Sequence, residues 1–243
     1  MPYGAGQYRG KVLIVETKIT QWMKTQAFND RQKRLVVGSL LGDAHVVRTT
    51  QGYAYRANHG KAQRDYIHWK YQLLKPFIRT EPKLSQDRCW HFRTVTHPEM
   101  SGFRSRWYEG NRKRLCIKDV EEYLDAFPLA VWIMDDGFNR KDCLGKYPNT
   151  QAYEVEGQGL LQNCLQRNFG IQTRIHWAAG RPRLYIDATQ AGKFVKIIRH
   201  EMIPSMMYKI SNPVTTGIPD VRTGKEDNPA GRDYNTPISA AGG

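Results

Sequence analysis

An apolar segment that ends in an acidic residue occurs twice in this chain, and this repeat constrains the fold more than any other feature. Residues 35–44 read LVVGSLLGDA and residues 129–137 read LAVWIMDDG. Asp136 of the second copy follows Asp43 of the first by 93 residues. A helix that is apolar around most of its surface is usually buried against another helix. We therefore expect the two motif helices to pack side by side at the centre of a pseudo-twofold molecule.

Small residues in the middle of each motif would allow the two helix backbones to approach closely. They are Gly38 and Ser39 in the first copy and Ala130 in the second. An open array of repeats normally needs three or more units to be stable. Two copies therefore favour a closed pair of similar halves.

The acidic residues at the motif ends predict a metal site. The C-terminal end of a helix carries negative partial charge, so Asp43, Asp135 and Asp136 are unfavourable there unless a cation neutralises them. Carboxylates and helix-end carbonyl oxygens form a hard oxygen site that suits Mg²⁺. Paired metal ions of this kind assist phosphodiester cleavage. One such motif alone would more often be a core helix followed by a surface aspartate, but two copies in register favour the metal site.

The charge of the chain favours a polyanionic partner. The 243 residues include 37 Lys and Arg against 23 Asp and Glu, which gives a formal charge of +14. Nucleic acid is the first candidate and an anionic membrane surface the second. The basic residues are spread over 31–34, 104–118 and 174–183, which indicates a broad basic surface rather than a basic tail.

The alternating segments of the chain contain the side chains that we expect to read DNA bases. Every second side chain of such a strand faces the same side, and arginine can pair with guanine through two hydrogen bonds. Taken singly, any of these residues could contact only phosphate. The candidates are Arg48, Tyr53, Arg56, Arg93, Arg174, His176, Arg181 and Arg183.

Other sequence features argue against export, membrane insertion and zinc binding. The N-terminal segment has only a four-residue apolar stretch between charged residues, which is too short for a secretion signal, and no apolar run approaches the length of a membrane span. Cys89, Cys116, Cys143 and Cys164 are too widely spaced for a zinc site and suggest free thiols in a reducing compartment. We expect an intracellular protein of an organelle or of the bacterial cytoplasm.

The order of predicted elements is the same in both halves and indicates an α+β protein. Each half reads αββαββα, with the motif helix first, and Asn29 and Gln32 resemble a capping box before the first motif. We place an N-terminal extension at 1–28, the repeats at 29–117 and 118–212, and a disordered tail at 213–243. In the second repeat we expect strands near 138–144 and 150–155. We also expect Asp119 and Glu122 to cap the connecting helix.

The motifs resemble those of the LAGLIDADG homing endonucleases, in their single-chain, two-motif, intron-encoded branch. VVGSLLGDA and LAVWIMDDG match the nine-residue family helix, with Asp43 and Asp136 at its acid position. Three further segments match the same branch over a resemblance that spans roughly 30–212. They are NTQ at 149–151, YID at 185–187 and the IP-x-MMYK segment at 203–209.

This resemblance implies a fold, an activity and a set of site residues. Two four-stranded sheets would form a saddle over the DNA major grooves, above the paired motif helices. The activity would be double-strand cleavage by a monomer at a long, asymmetric site, leaving short 3′ overhangs. Two or more divalent ions, Mg²⁺ with Mn²⁺ as a substitute, would bind Asp43, Asp136 and the backbone carbonyls of Gly42 and Asp135. Lys113 and Lys209 would be the catalytic lysines, which organise water or stabilise the scissile phosphates.

Two alternatives keep the same fold with a different function. An intron maturase would bind its host-intron RNA and would not need the acids. An inactive DNA-binding protein, such as a repressor, would not need them either. Because both motif ends keep their acids, the sequence favours the endonuclease over both alternatives.

Overall fold

The computed structural model describes residues 17–139, 145–178 and 180–211, and the expected element order occurs twice within them. A short helix, α1 (Lys18–Thr25), comes before the first half. The first half consists of α2 (Asp30–Leu41), β1 (His45–Thr49), β2 (Gly52–Gly60), α3 (Arg64–Leu74), β3 (Lys83–Leu84), β4 (Cys89–Arg93) and α4 (Pro98–Trp107). A hairpin of β5 (Tyr108–Glu109) and β6 (Arg112–Lys113) follows, and then α5 (Ile117–Tyr123). The second half consists of α6 (Ala126–Asp136), β7 (Gly137–Asn139), β8 (Lys146–Pro148), α7 (Val155–Phe169), β9 (Thr173–Ala178), β10 (Arg181–Ile186) and α8 (Ala188–Ile198).

Each half contains one four-stranded antiparallel sheet, and the strands are arranged in the same way in both. The order is β1-β2-β4-β3 in the first sheet and β7-β8-β10-β9 in the second. The second and fourth strands of each half are therefore the central ones. This equivalence confirms the predicted α+β class with two pseudo-symmetric αββαββα halves.

The two motif helices, α2 and α6, lie in direct backbone contact at the centre of the core. Residues 35–41 of α2 and 127–135 of α6 are all buried. A Cβ atom placed on Gly38 would lie 2.5 Å from the carbonyl oxygen of Pro128 and 2.9 Å from Cβ of Val131. The small residue in the first motif is thus required by the close approach, as the sequence predicted.

Local hydrogen bonds fix where the motif helices begin. Asn29 and Gln32 form the predicted capping box at the start of α2. The side chain of Asp125 accepts a hydrogen bond from the backbone nitrogen of Phe127 at 2.9 Å and so caps α6. Arg34 of α2 donates to the same aspartate at 2.7 Å, which joins the N-terminal ends of the two helices.

Two local predictions were wrong because tertiary contacts determine the conformation. Residues 150–155 do not form a strand, since the side chain of Gln158 donates to the Thr150 carbonyl oxygen at 2.6 Å and α7 begins at Val155. Asp119 does not cap α5, because its buried carboxylate accepts a hydrogen bond from Trp107 Nε1 at 2.6 Å. The residue before α5 is Cys116, which makes no side-chain capping bond.

Several predicted features lie outside the described residues. They are most of the extension at 1–28, the whole tail at 213–243, residues 140–144 of a predicted strand, and Cys143. Across the described ranges, no helix combines the length and the apolar character that a membrane crossing requires.

Candidate active site and nucleic-acid surface

The C-terminal ends of α2 and α6 bring the predicted acids close enough for their charges to affect one another. A Cβ atom on Gly42 would lie 2.4 Å from Cβ of Asp135, so the two helix ends are in contact. Asp43 is exposed at the surface. Even so, partial burial of its carboxyl group and the negative charges of Asp135 and Asp136 raise its pKa to about 6. The acids of the two motifs are therefore close enough to repel each other.

Asp136 is half-buried and is oriented by a residue of the NTQ segment. Its Oδ1 accepts a hydrogen bond from Asn149 Nδ2 at 2.6 Å. Burial raises the pKa of Asp136, while the Asn149 hydrogen bond and the positive charge of Lys209 oppose the shift. The carboxylate is thus held in one direction at the end of α6.

Lys113 and Lys209 occupy equivalent positions at the two helix ends. Lys113 Nζ donates to the carbonyl oxygens of Leu40, Gly42 and Ala44 at 3.0, 2.9 and 2.9 Å. Lys209 Nζ donates to the carbonyl oxygen of Gly137 at 3.0 Å. Ala44 and Gly137 each follow the motif acid directly. Burial lowers the pKa of Lys113 to about 8 against the opposing charges of Asp135 and Asp43.

The Gly42 carbonyl, predicted as a metal ligand, therefore already accepts a hydrogen bond from Lys113. A carbonyl oxygen has two lone pairs, so a second interaction remains open to it.

The side chain of Asp135 packs against Gly42 at the end of α2, and one of its carboxylate oxygens faces into the core. Its Oδ1 accepts hydrogen bonds from Lys70 Nζ at 2.5 Å and from the Tyr66 hydroxyl at 2.6 Å. His59 Nε2 lies 3.5 Å from the same oxygen, and burial together with the charge of Lys70 lowers the His59 pKa to about 4. Sequence reasoning missed this cluster. The only sign of it in the sequence was Lys70, which lies among the apolar residues on the buried face of α3.

The donor set at the helix ends fits a hard divalent cation. Asp43 and Asp136 supply two carboxylates, and their mutual repulsion would be relieved by positive charge between them. Across the described residues, no cluster of three or more His, Cys, Asp or Glu side chains could hold a metal ion alone. Carbonyl oxygens at the helix ends could add to the two carboxylates, and an all-oxygen set of this kind suits Mg²⁺.

The four predicted DNA-contacting residues of the second sheet lie on one face. Arg183 pairs with His176 across β9 and β10, and Arg181 and Arg174 lie on the same side of the ladder. The opposite face carries Leu184, which is fully buried. Arg174 and Arg181 are exposed, while Arg183 and His176 are half-buried. The structure therefore brings these four side chains together.

In the first sheet the predicted residues divide between the two faces. Arg56 pairs directly with Arg93, and both are exposed. Arg48 pairs with Tyr53, and this pair lies two residues along each strand from the buried pair of Val46 with Tyr55. Since alternate residues share a face, Arg48 and Tyr53 lie on the core side of the sheet.

That core-side placement is also seen in the contacts of Tyr53. The Arg104 guanidinium of α4 lies 5.7 Å from the centroid of its ring. The structure therefore does not bring Arg48 and Tyr53 together with Arg56 and Arg93.

Comparisons with known proteins agree with this architecture. Residues 33–194 match the family model of the LAGLIDADG DNA endonuclease family. Two relatives are a protein RecA of Mycolicibacterium chitae, 28% identical over 199 residues, and the DNA endonuclease I-ChuI of Chlamydomonas applanata, 27% identical over 213 residues. The first alignment covers 75% of this chain and 47% of RecA, and the second covers 76% of this chain and 97% of I-ChuI. The chain thus spans about half the length of the RecA relatives.

A solved structure shows that the fold is shared. The homing endonuclease I-WcaI, bound to its DNA recognition sequence, has a TM-score of 0.73 to this chain at 20% identity. The superposition covers 83% of this chain and 97% of that one.

Proposed function

The chain belongs to the LAGLIDADG DNA endonuclease family, and on that premise we propose that it is a monomeric, site-specific DNA endonuclease. It cleaves both strands of a long, asymmetric target and leaves short 3′ overhangs. Residues 29–117 and 118–212 are its two repeats, and each contributes one acid and one lysine to the active site.

One observation supports this proposal above the others. Asp43 and Asp136 lie at the adjoining ends of two packed helices, and the charge of Asp136 contributes to the raised pKa of Asp43. Carboxylates that repel one another in the free protein form a site that a divalent cation completes. A protein that only bound nucleic acid would gain nothing from this repulsion.

The chain's own residues have distinct roles in this reaction. Asp43 and Asp136, with the carbonyl oxygens of Gly42 and Asp135, would hold Mg²⁺, or Mn²⁺ in its place. When bound there, the cations lower the pKa of water and stabilise the leaving oxygen. Asn149 orients the Asp136 carboxylate.

Lys113 and Lys209 place positive charge at the two helix ends and stabilise the scissile phosphates. Both ammonium groups donate to backbone carbonyl oxygens next to the acids, which keeps them within reach of a phosphate bound at the same point. Burial lowers the pKa of Lys113 to about 8, so its ammonium group is still mostly protonated near neutral pH.

The exposed faces of the two sheets bind double-stranded DNA. Arg56 and Arg93 of the first sheet and Arg174, Arg181 and Arg183 of the second present basic side chains that can contact base edges in the major groove. Arg48 is exposed near the end of its strand, so we assign it to phosphate contact rather than to base reading. We exclude Tyr53 from the base-reading set.

The experiment that tests this function begins with cleavage selection from a randomised DNA library in Mg²⁺, beside Ca²⁺ and EDTA controls. Asp43→Asn and Asp136→Asn are then compared with the wild type on the selected duplex. We expect each variant to lose double-strand cleavage and to keep most of its DNA affinity in EDTA.

A matched control is Asp30→Asn, which makes the same change at the opposite end of α2. It should cleave normally. Normal cleavage by both Asp43→Asn and Asp136→Asn would show that the site is assigned wrongly. Tight, salt-sensitive binding of intron RNA with no cleavage of any duplex would favour the maturase alternative.

A further inference from the structure

A buried ion pair links the end of the second motif helix to the first half of the molecule. Lys70 and Asp135 both have fully buried side chains, and the Lys70 Nζ and Asp135 Oδ1 atoms are 2.5 Å apart. Tyr66, one turn earlier on α3, donates its hydroxyl to the same oxygen at 2.6 Å. The Tyr66 hydroxyl also lies 3.2 Å from the carbonyl oxygen of Val131. Two side chains of the first half thus hold the last turn of α6.

The first motif helix is held by a different device. Gly42 occupies the position equivalent to Asp135, and the space beside it is filled by the Asp135 side chain itself. At the end of α2, Lys113 of the β5–β6 hairpin donates to the carbonyl oxygens of Leu40, Gly42 and Ala44. Lys209 donates in a similar way at the end of α6, but only α6 also has the buried pair. The two acids are therefore supported asymmetrically.

The ion pair is explained better by the side-chain direction that it fixes than by the stability that it adds to the fold. Fully buried Lys and Asp are rare, and a buried pair often gives no more stability than apolar residues of similar size. What it does give is a fixed side-chain direction, because each partner is costly to leave alone. The residue fixed here directly precedes Asp136.

We propose that Lys70 and Tyr66 are positioning residues for the Asp136 half of the active site. They hold the Asp135 side chain inside the core, so that the last turn of α6 presents the Asp135 carbonyl oxygen and the Asp136 carboxylate together to the cation. This inference rests on the proposed endonuclease function. It adds that a helix of one half orders the metal ligands of the other.

This arrangement predicts that changes at Tyr66 or Lys70 affect the cleavage of one DNA strand more than that of the other. The two acids are related by the pseudo-twofold axis, as are the antiparallel strands of a bound duplex, so each acid serves a different strand. A change at Tyr66 or Lys70 should slow cleavage of the strand served by Asp136 and spare the other. Nicked DNA should accumulate.

Tyr66→Phe is the primary test, because it removes one hydroxyl and leaves the ion pair in place. Cleavage is followed on the duplex recovered by library selection, with the two strands labelled separately. We expect one strand to be cut about tenfold more slowly, because the lost hydrogen bond is to a charged carboxylate. Lys70→Met should slow cleavage of the same strand by roughly 10- to 100-fold, which is typical when a residue that supports a metal ligand is lost.

A second measurement does not depend on turnover. Mn²⁺ is titrated into the complex with the already cleaved duplex, and free Mn²⁺ is measured by its electron paramagnetic resonance signal. Both variants should weaken the binding of part of the Mn²⁺ by the same factors as cleavage. Their affinity for the intact duplex in EDTA should stay within about twofold of the wild type.

Tyr153→Phe is the matched control. Tyr153 is also a buried tyrosine, and its hydroxyl lies 3.4 Å from the Leu40 carbonyl oxygen of the other motif helix, but no bond to Asp135 is involved. It should not slow the strand that Tyr66→Phe slows. Equal slowing of both strands by Tyr66→Phe, or the same bias in Tyr153→Phe, would overturn the positioning role.

The proposed function and this inference fail in different ways. If the wild type cuts no duplex, the endonuclease function fails and the positioning role fails with it. If the wild type cuts, Asp136→Asn does not, and folded Tyr66→Phe shows normal rates on both strands with normal Mn²⁺ binding, only the positioning role is wrong.

Discussion

Gly38→Ala should destabilise the protein, although alanine favours a helix more than glycine does. The new Cβ would lie 2.5 Å from the carbonyl oxygen and 2.8 Å from Cα of Pro128, against 3.4 Å for an ordinary contact. Since both atoms belong to the backbone, no side-chain rotation relieves the overlap, and α2 and α6 must separate by roughly 0.9 Å. Overpacking of this kind costs about 1–3 kcal/mol, and about 2–3 kcal/mol applies here because the overlap is with backbone atoms. The gain in helix propensity returns about 1 kcal/mol. The expected net loss is about 1–2 kcal/mol.

Thermal unfolding without metal checks this value. For a chain of this size, 1 kcal/mol corresponds to about 2–4 °C, so Gly38→Ala should lower the Tm by about 2–8 °C. The control is Gly192→Ala in α8, where a Cβ would meet nothing within 4 Å. That variant should gain about 0.5–1 kcal/mol from propensity alone. If Gly38→Ala were as stable as Gly192→Ala, the close packing of the motif helices would be refuted.

Three further predictions concern charge. Folding raises the pKa of Asp43 from 3.8 to about 6, so the folded state binds an extra proton and stability falls as pH rises through that window. Asp43→Asn should therefore stabilise the metal-free protein in thermal melts at pH 7, with no gain below pH 3.8. The gain should be less than about 1 kcal/mol because solvent screens the group. Lys113→Met should cost about 2 kcal/mol by leaving three carbonyl oxygens at and just beyond the end of α2 without a charged donor. The same change at exposed Lys118 should be nearly neutral in the same melts. Binding to the selected duplex should weaken about a thousandfold or more between roughly 50 and 200 mM salt through counterion release, and a flat salt titration would contradict a phosphate-binding surface.

The repeated motif was enough to predict the fold because its information is local. An apolar helix with a small residue inside it and an acid at its end can be recognised without knowing its partner, and the same holds for the capping box at Asn29 and Gln32. The element order followed from hydrophobic periodicity, which depends on near neighbours.

Features that depend on distant partners could not be predicted in this way. Lys70 lies 65 residues from Asp135 in sequence, and a lysine on an amphipathic helix is normally exposed. The separation of Arg48 from Arg56 onto opposite faces depends on strand register, where a shift of one residue exchanges the faces. Asp119 looked like a helix cap, but a tryptophan nitrogen 12 residues earlier binds it.

The tyrosines that cross between the halves limit how this scaffold can be recombined. Tyr66 reaches the Val131 carbonyl oxygen of the second half, and Tyr153 of the second half reaches the Leu40 carbonyl oxygen of the first. A hybrid that joined one half of this chain to a half from another family member would still offer these backbone oxygens, but it would separate Tyr66 and Lys70 from the Asp135 side chain. An exchange of halves should therefore keep Tyr66, Lys70 and Asp135 as a set.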